Sequence, residues 1–420
     1  VIKKLPLLCL LCCATWSFSQ DGRILDVKIQ GNKRLKTSFI KNLVRVKPGM
    51  ELDSTMLNQD VERLKRLPSV SHAYFQVFSS IDGMHNVFYN VEENFTLIPF
   101  ANVYTSTNDE FAFRVGLQEF NFLGRNITLG GFYQYDIFNS YGINIRAPYL
   151  FSNKLGMEVN YKDFTTQEPV FFEDTTADYR YNNKGFEVLG IYEPNFKNRF
   201  ELGYSWFTED YQYLFGFTSP EVPQQLNVDK SLFKLIYNYD NISYYYQYLS
   251  GFRSTLNFQY VISTDIQLPE FLIGFNDFVY FKRVGKKGNW ANRLRLGLAS
   301  NVDSPFAPFT VDNNLNIRGV GNTIDRGTGA IVLNTEYRHT WIDKDWFVLQ
   351  SNIFIDGGSW RNPGGDFSDF GDDQNIRVYP GLGLRFIHKR IFNAVFRIDY
   401  GYGITKEASR GIVFGIGQYF

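Results

Sequence analysis

The 420 residues carry 43 basic and 43 acidic side chains, a balance that excludes a strong electrostatic pull toward nucleic acid. Mean hydropathy is −0.24, too low for a bundle of membrane helices. The aromatic share is 18%, with 41 Phe, 27 Tyr and 6 Trp; such an excess fits an oversized core, a carbohydrate-binding surface or the aromatic girdles of a membrane barrel.

Residues 1–19 read as a secretory signal peptide. Lys3 and Lys4 precede an apolar run from Leu5 to Cys13, and Ser17-Phe18-Ser19 supplies small residues at a cleavage position. The run is too short to span a bilayer. Cys9, Cys12 and Cys13 all fall in this segment, so the remaining chain is expected to hold no disulfide, thiolate nucleophile or cysteine metal site. Downstream, no run of about eighteen apolar residues predicts a membrane helix.

Residues 20–95 form the first expected domain. Ile24 to Gln30 alternates as a strand does, and Gly31-Asn32 turns the chain. Thr37 or Ser38 is placed to cap a short helix carrying Phe39, Ile40, Leu43 and Val44, which Lys47-Pro48-Gly49 breaks. Asp53 or Ser54 caps a second helix, whose apolar positions Leu57, Val61, Leu64 and Leu67 recur at three- and four-residue spacing up to Pro68. Two strands follow, Ser71 to Phe78 and His85 to Val91, with Asp82-Gly83 between them. Glu92-Glu93 reads as a solvated end. The edge of such a small sheet carries unpaired backbone groups that can accept an extended chain as an added strand.

From residue 96 to 420 the pattern is alternation punctuated by turns. Phe200, Leu202, Tyr204 and Trp206 interleave with Glu201, Gly203 and Ser205; Phe392, Ala394, Phe396, Ile398 and Tyr400 interleave with Asn393, Arg397 and Asp399. Periodicity alone does not separate a soluble sandwich from a membrane barrel. Three further features favour the barrel: strands of about ten residues, aromatic strand ends, and the closing segment Gly415-Ile-Gly-Gln-Tyr-Phe420. The segments number about sixteen, an even count as closed bacterial barrels have. Short connections (121–124, 152–153, 195–197, 285–288, 343–345 and 388–390) alternate with long ones (165–183, 210–229, 301–328 and 357–374). The long ones are expected to be external loops. The connection 240–250 is long for the turn side, and its Tyr244-Tyr-Tyr246 run is assigned to the membrane interface. Because unpaired backbone is costly in lipid, the first strand, near Leu97–Thr105, must pair with the last, Arg410–Phe420. Gly411, Gly415 and Gly417 on that last strand, with Phe420 at its end, mark this seam, and the glycines remove side chains that would pack across it.

Asn313-Asn-Leu-Asn-Ile-Arg-Gly-Val-Gly321 lies in the long loop 301–328. Downstream, Glu336 and Asp356 fall on the polar parity of two successive strands, with Asn334, Arg338, Gln350 and Asn352 beside them. A guanidinium can bind carboxylates through a planar fork, so Arg318 is the candidate partner of both, with Gly319 permitting the turn. No enzyme signature accompanies this set. His72, His85, His339 and His388 lack metal-ligand spacing, no serine sits in a nucleophile elbow, and the acidic loop 366–373 lacks a calcium-loop pattern.

The Ile-Arg-Gly segment, the strand with internal Glu336 and the strand ending Phe-Ile-Asp-Gly-Gly resemble the Omp85 superfamily. The strand-helix-helix-strand-strand order of the first unit resembles its POTRA module. Ile317 and Val320 stand where the family often has Val and an aromatic around Arg-Gly. The resemblance implies a mainly β protein: one periplasmic POTRA domain ahead of a sixteen-stranded antiparallel transmembrane barrel in the outer membrane. It also implies that the sixth external loop folds back into the lumen, that Arg318, Gly319, Glu336 and Asp356 form a luminal latch, and that the seam opens sideways. It implies non-covalent activity without a cofactor. The partners would be unfolded outer-membrane or secreted client polypeptides, outer-membrane lipid, and periplasmic or lipoprotein accessory proteins, with no nucleic acid. Assembly of membrane proteins is the first functional expectation. A two-partner-secretion pore for one exported protein and a passive channel are the alternatives.

Overall fold

The computed structural model describes residues 22–420 apart from 80–82, 106–110, 173–174, 219–222, 265–269, 303–307, 312–315, 321–325, 393, 406–407 and 418. The expected signal peptide, Asp82, Asn313 to Leu315, Gly321 and Asn393 therefore lie outside the described residues.

The first unit runs β1 (Ile24–Gln30), α1 (Thr37–Leu43), α2 (Ser54–Lys65), β2 (Val70–Ser79) and β3 (His85–Glu93). The sheet order is β1-β3-β2, with β1 parallel and β2 antiparallel to β3, so β2 is an edge. The apolar stripe of α2 (Leu57, Val61, Leu64) meets Ile40, Leu43, Val87 and Tyr89 in one buried core. Asp53 caps α2 by accepting from the Thr55 amide at 2.8 Å. The cap expected at the start of α1 is absent: Lys36 occupies that position without a side-chain bond, and Thr37 Oγ1 instead accepts from Asn32.

Two carboxylates organise this domain. Asp60, fully buried on α2, accepts from the Arg45 and Val46 amides and from the Tyr89 hydroxyl at 2.9–3.0 Å. Burial pushes the Tyr89 phenol up in pKa, and the neighbouring Asp60 charge adds to it. Glu93, expected to be merely solvated, accepts from the amides of Lys33, Arg34 and Leu35 at 2.7–3.1 Å. The turn after β1 exposes three amides with no strand to pair them, and this carboxylate satisfies them.

The second unit is a closed antiparallel barrel. Its strands are β4 (Leu97–Thr105), β5 (Phe111–Phe122), β6 (Ile127–Asp136), β7 (Phe138–Ala147), β8 (Leu155–Phe172), β9 (Thr175–Asn195), β10 (Asn198–Gly216) and β11 (Gln225–Asp240), then, after the short β12 (Ser243–Tyr245), β13 (Tyr248–Ser263), β14 (Phe271–Val284) and β15 (Gly288–Ala299). A two-residue pair, β16 (Phe309–Thr310) with β17 (Arg326–Gly327), interrupts the next loop. The ring then continues through β18 (Gly329–Asp343), β19 (Phe347–Arg361), β20 (Ile376–His388), β21 (Val395–Tyr402) and β22 (Arg410–Ile416). Sixteen strands thus line the wall, and β22 lies beside β4 to complete it.

The alternation sorts faces as it must in lipid. Ile353, Leu382 and Phe414 point outward and are 69%, 62% and 74% exposed, whereas Glu336, Asp356 and Asp399 point inward and are buried. Trp290, Tyr337, Trp341 and Trp346 gather on the outer face near the short turns, as a girdle does.

Two expectations about connections are corrected. Residues 165–172, 175–183, 210–216 and 225–229 are strand rather than loop: β8 pairs with β9 to Phe172–Thr175, and β10 pairs with β11 and β9 well beyond the wall. Val170, Ala177, Tyr179 and Tyr211 pack as an apolar cluster that holds these hairpins up. Nor is the 244–246 run all exposed at an interface: Tyr245 is exposed, but Tyr244 packs against Val279 and Phe281 inside the barrel. β12 folds back on β13, and Tyr246, with φ 50°, stacks its ring on His72 of the first domain at 5.2 Å.

That contact belongs to a wider seat. Arg66, at the end of α2, donates to the carbonyls of Phe196, Asp240 and Ile242 at 2.5–3.0 Å, and Arg63 donates to Asn153 O at 2.5 Å. Arg34 pairs with Glu119 at 3.1 Å, and the Lys36 amide donates to Gly124 O. The small domain is therefore pinned to the short-turn end of the barrel by backbone groups that those turns leave unpaired.

Candidate functional site

The loop between β15 and β18 folds into the lumen: Ile317, Arg318 and Val320 are each no more than 2% exposed. Ile317 and Val320 pack with Val311, Ala330, Val332, Trp360 and Tyr379. Ala330 and Val332 share the inward parity of Glu336, an apolar patch on an otherwise polar lining that the loop covers.

The structure brings Arg318, Glu336 and Asp356 together. Arg318 Nε and Nη2 donate to the two Asp356 oxygens at 2.8 and 2.9 Å, and the Arg318 amide donates to Asp356 at 3.0 Å. Arg318 Nη1 donates to Glu336 at 2.6 Å. All three side chains are fully buried. Pleat parity put both carboxylates in the lumen, and their strands are neighbours: Asn334 faces Asp356 across the β18–β19 ladder.

The site is larger than those three residues. Glu336 also receives Arg338 and, at 2.7 and 2.8 Å, Arg385. Asp399 lies 3.6 Å from Arg318, accepts from Asn352 at 3.0 Å, and pairs with Arg397 at 3.0 Å. Asn334 donates to Asn316 O at 2.8 Å and so fixes the loop backbone. Arg385, Arg397 and Asp399 drew no attention in the sequence because charged residues on lumen parity are ordinary; only the three-dimensional register makes them neighbours. Four guanidiniums thus face three carboxylates in a buried space. Two rings supply the balance: Arg318 Cζ sits 3.6 Å from the Phe354 centroid and 4.3 Å from that of Tyr419.

The seam residues take different roles from those expected. Gly411 and Gly415 face the lumen rather than the seam. A Cβ on Gly411 would lie 3.2 Å from Gly319 O, and one on Gly415 would lie 2.6 Å from the Arg397 guanidinium. Gly319, at φ +91°, presses so close to Gly401 of β21 that a Cβ on Gly401 would fall 2.0 Å from Arg318 O. These glycines form the trough in which the loop backbone rests. β22 ends at Ile416, and Gly417, at φ +92°, turns the chain inward. Phe420 therefore does not close the last strand: its ring lies 6.5 Å from that of Phe281, inside the barrel.

Away from this cluster, the lumen holds a cavity of about 620 Å³ between β7 and β14. Within its charged lining, Lys234 pairs with Glu187 and Lys230 with Glu209, and Lys162 and Glu168 also face it.

The fold and this inserted loop define a transmembrane barrel of the outer-membrane type, with a docked N-terminal domain. Residues 22–94 match the POTRA family, "Surface antigen variable number repeat". Across nearly the whole chain the fold is similar to BamA from Haemophilus ducreyi lacking POTRA domains 1–3, with TM-score 0.56, 15% identity, 94% of this chain and 83% of that one. It is similar also to CdiB from Acinetobacter baumannii, with TM-score 0.60, 14% identity and coverage of 95% and 74%. CdiB from Escherichia coli gives TM-score 0.61, 11% identity and coverage of 94% and 75%. The chain thus joins a POTRA domain to a sixteen-stranded barrel whose fold is similar to those of BamA and CdiB.

Proposed function

We propose that the protein is an outer-membrane assembly factor that acts without covalent chemistry, its POTRA domain in the periplasm. The observation that carries this reading is the unequal wall. The barrel closes between β4, of 9 residues, and β22, of 7, the shortest strand in the wall, whereas β8 and β9 pair over up to 18 positions. The ladder at the seam is thus among the shortest in the wall, at most seven positions, and opening it exposes strand edges at membrane depth that a client strand can pair with. The exposed β2 edge of the POTRA sheet offers a first capture site. A cavity of about 470 Å³ leads from Val70 and Ser71 of β2 past Ile391 and Phe392 to Phe420, beside the foot of the seam.

The buried loop stands against free diffusion through the lumen. Secretion of one exported protein through the same opening is the second reading, supported by the fold similarity to CdiB. Quantitative outer-membrane proteomics after depletion separates them. Assembly predicts loss of many unrelated barrels; loss of one surface or secreted protein with the other barrels intact supports secretion; no change in any barrel or exported protein sinks both.

A further inference from the structure

The loop latch and the closing strand touch at more points than the Arg318 cluster requires. At the start of β22, Ser409 Oγ donates to Val320 O at 2.7 Å, and Gly411 lies against Gly319. Beyond its end, the Gly417 amide donates to Val395 O at 2.8 Å, and the turn there delivers Tyr419 onto Arg318.

The guanidinium edges of Arg318 are already taken by Asp356 and Glu336, which leaves only its two faces. Two rings with centroids 3.6 and 4.3 Å from Cζ cannot share one face without overlapping, so Phe354 and Tyr419 sandwich it. Phe354 belongs to the fixed wall on β19; Tyr419 belongs to the seam strand. Tyr419 also faces Arg397 at 4.8 Å and Arg293 at 5.6 Å, so its ring meets three of the cations in this region. Its hydroxyl has no hydrogen-bond partner among the described residues. The ring, not the phenol, is what the site uses.

We propose that Tyr419 is the positioning residue that couples the seam to the latch: β22 cannot leave β4 without withdrawing the ring from Arg318, and a loosened Arg318 releases β22. The seam part of this statement rests on the function proposed above. The coupling itself is a property of the resting barrel and holds or fails whatever the client.

The test is hydrogen–deuterium exchange on the full chain reconstituted in lipid vesicles, reading residues 316–320 and 410–416, with heat-modifiable electrophoretic mobility as the check on folding. Tyr419→Leu keeps apolar bulk and removes the π face. It is expected to speed exchange roughly thirtyfold in both segments, the size of one desolvated cation–π contact. Tyr419→Phe keeps the face and is expected to match the unaltered protein. Should Tyr419→Leu fail to fold, Arg318→Lys is read instead and should speed exchange in 410–416. A response confined to 316–320, no response in either segment, or equal responses from Phe and Leu would overturn the coupling. Proteomics after depletion is separate: unchanged clients alongside coupled exchange would defeat the functional reading and leave this one standing.

Discussion

Replacing Arg318 with Ala removes one guanidinium from three fully buried charges. Glu336 keeps Arg338 and Arg385. Asp356 keeps the amide of residue 318 but loses both side-chain donors, at 2.8 and 2.9 Å, and with them its bound counter-charge. Stranding one member of a buried pair costs about 3–5 kcal/mol, and most of that cost falls on Asp356. The attribution can be checked by a cycle with Asp356→Asn. Neutralising the stranded carboxylate should make the double variant less damaged than the sum of the singles by about 1.5–3 kcal/mol, the worth of charge-assisted hydrogen bonds. Urea titrations in lipid vesicles, followed by tryptophan fluorescence and by heat-modifiable mobility, give all four corners. A loss for Arg318→Ala under about 0.5 kcal/mol, the range of ordinary surface substitutions, or a cycle that closes additively, would refute the latch.

Three further predictions use other parts of the molecule. Gly401→Ala, on β21 and outside the loop, puts a Cβ 2.0 Å from Arg318 O and should expel the loop; protease cleavage within 316–320 should rise, and unchanged cleavage would show that the trough is not needed. Arg66→Ala removes three charge-assisted bonds to turn carbonyls, which water can partly replace, and should weaken POTRA docking by about 1–3 kcal/mol; a wider distribution of label distances between POTRA and barrel would report it. Burial, then Lys65, lowers the pKa of His72 where it stacks on Tyr246, against the opposing pull of Glu92 and Glu62. The docked state therefore favours neutral His72. Docking should be complete above the ordinary histidine value of about 6.5 and weaken as pH falls below it. The same distances measured from pH 8 to pH 5 should widen at low pH, and His72→Phe should abolish the dependence.

The lumen placement of Glu336 and Asp356 was legible in the sequence, whereas the return of Arg318 to meet them was implied only by the family resemblance. Strand parity decides which carboxylates enter the lumen, and Arg318 is flanked by Asn316 and Gly319, which suit a loop that must turn sharply. The POTRA order was legible for a similar reason, since the spacing of Leu57, Val61 and Leu64 admits only a helix. What escaped depended on environment. Residues 165–183 and 210–229 have the polar composition of loops because, beyond the membrane, a strand no longer needs an apolar outer face; the Tyr179–Tyr211 packing that holds them is visible only once the strands are paired. The segment from Gly415 to Phe420 alternates like a strand, and nothing in that alternation shows that Gly417 turns the chain into the lumen. Glu93 looked idle because its three amide partners lie about sixty residues earlier in the chain.

In the proposed function, clients pass through the seam between β4 and β22. This is tested most directly by locking that seam. Cysteine pairs scanned along β4 and β22 would be oxidised to a disulfide, and insertion of a model barrel client into vesicles containing the locked protein would be followed before and after adding reductant. Insertion should stop when the disulfide forms and return when it is reduced. Insertion at the full rate with a fully locked seam would contradict a route through it.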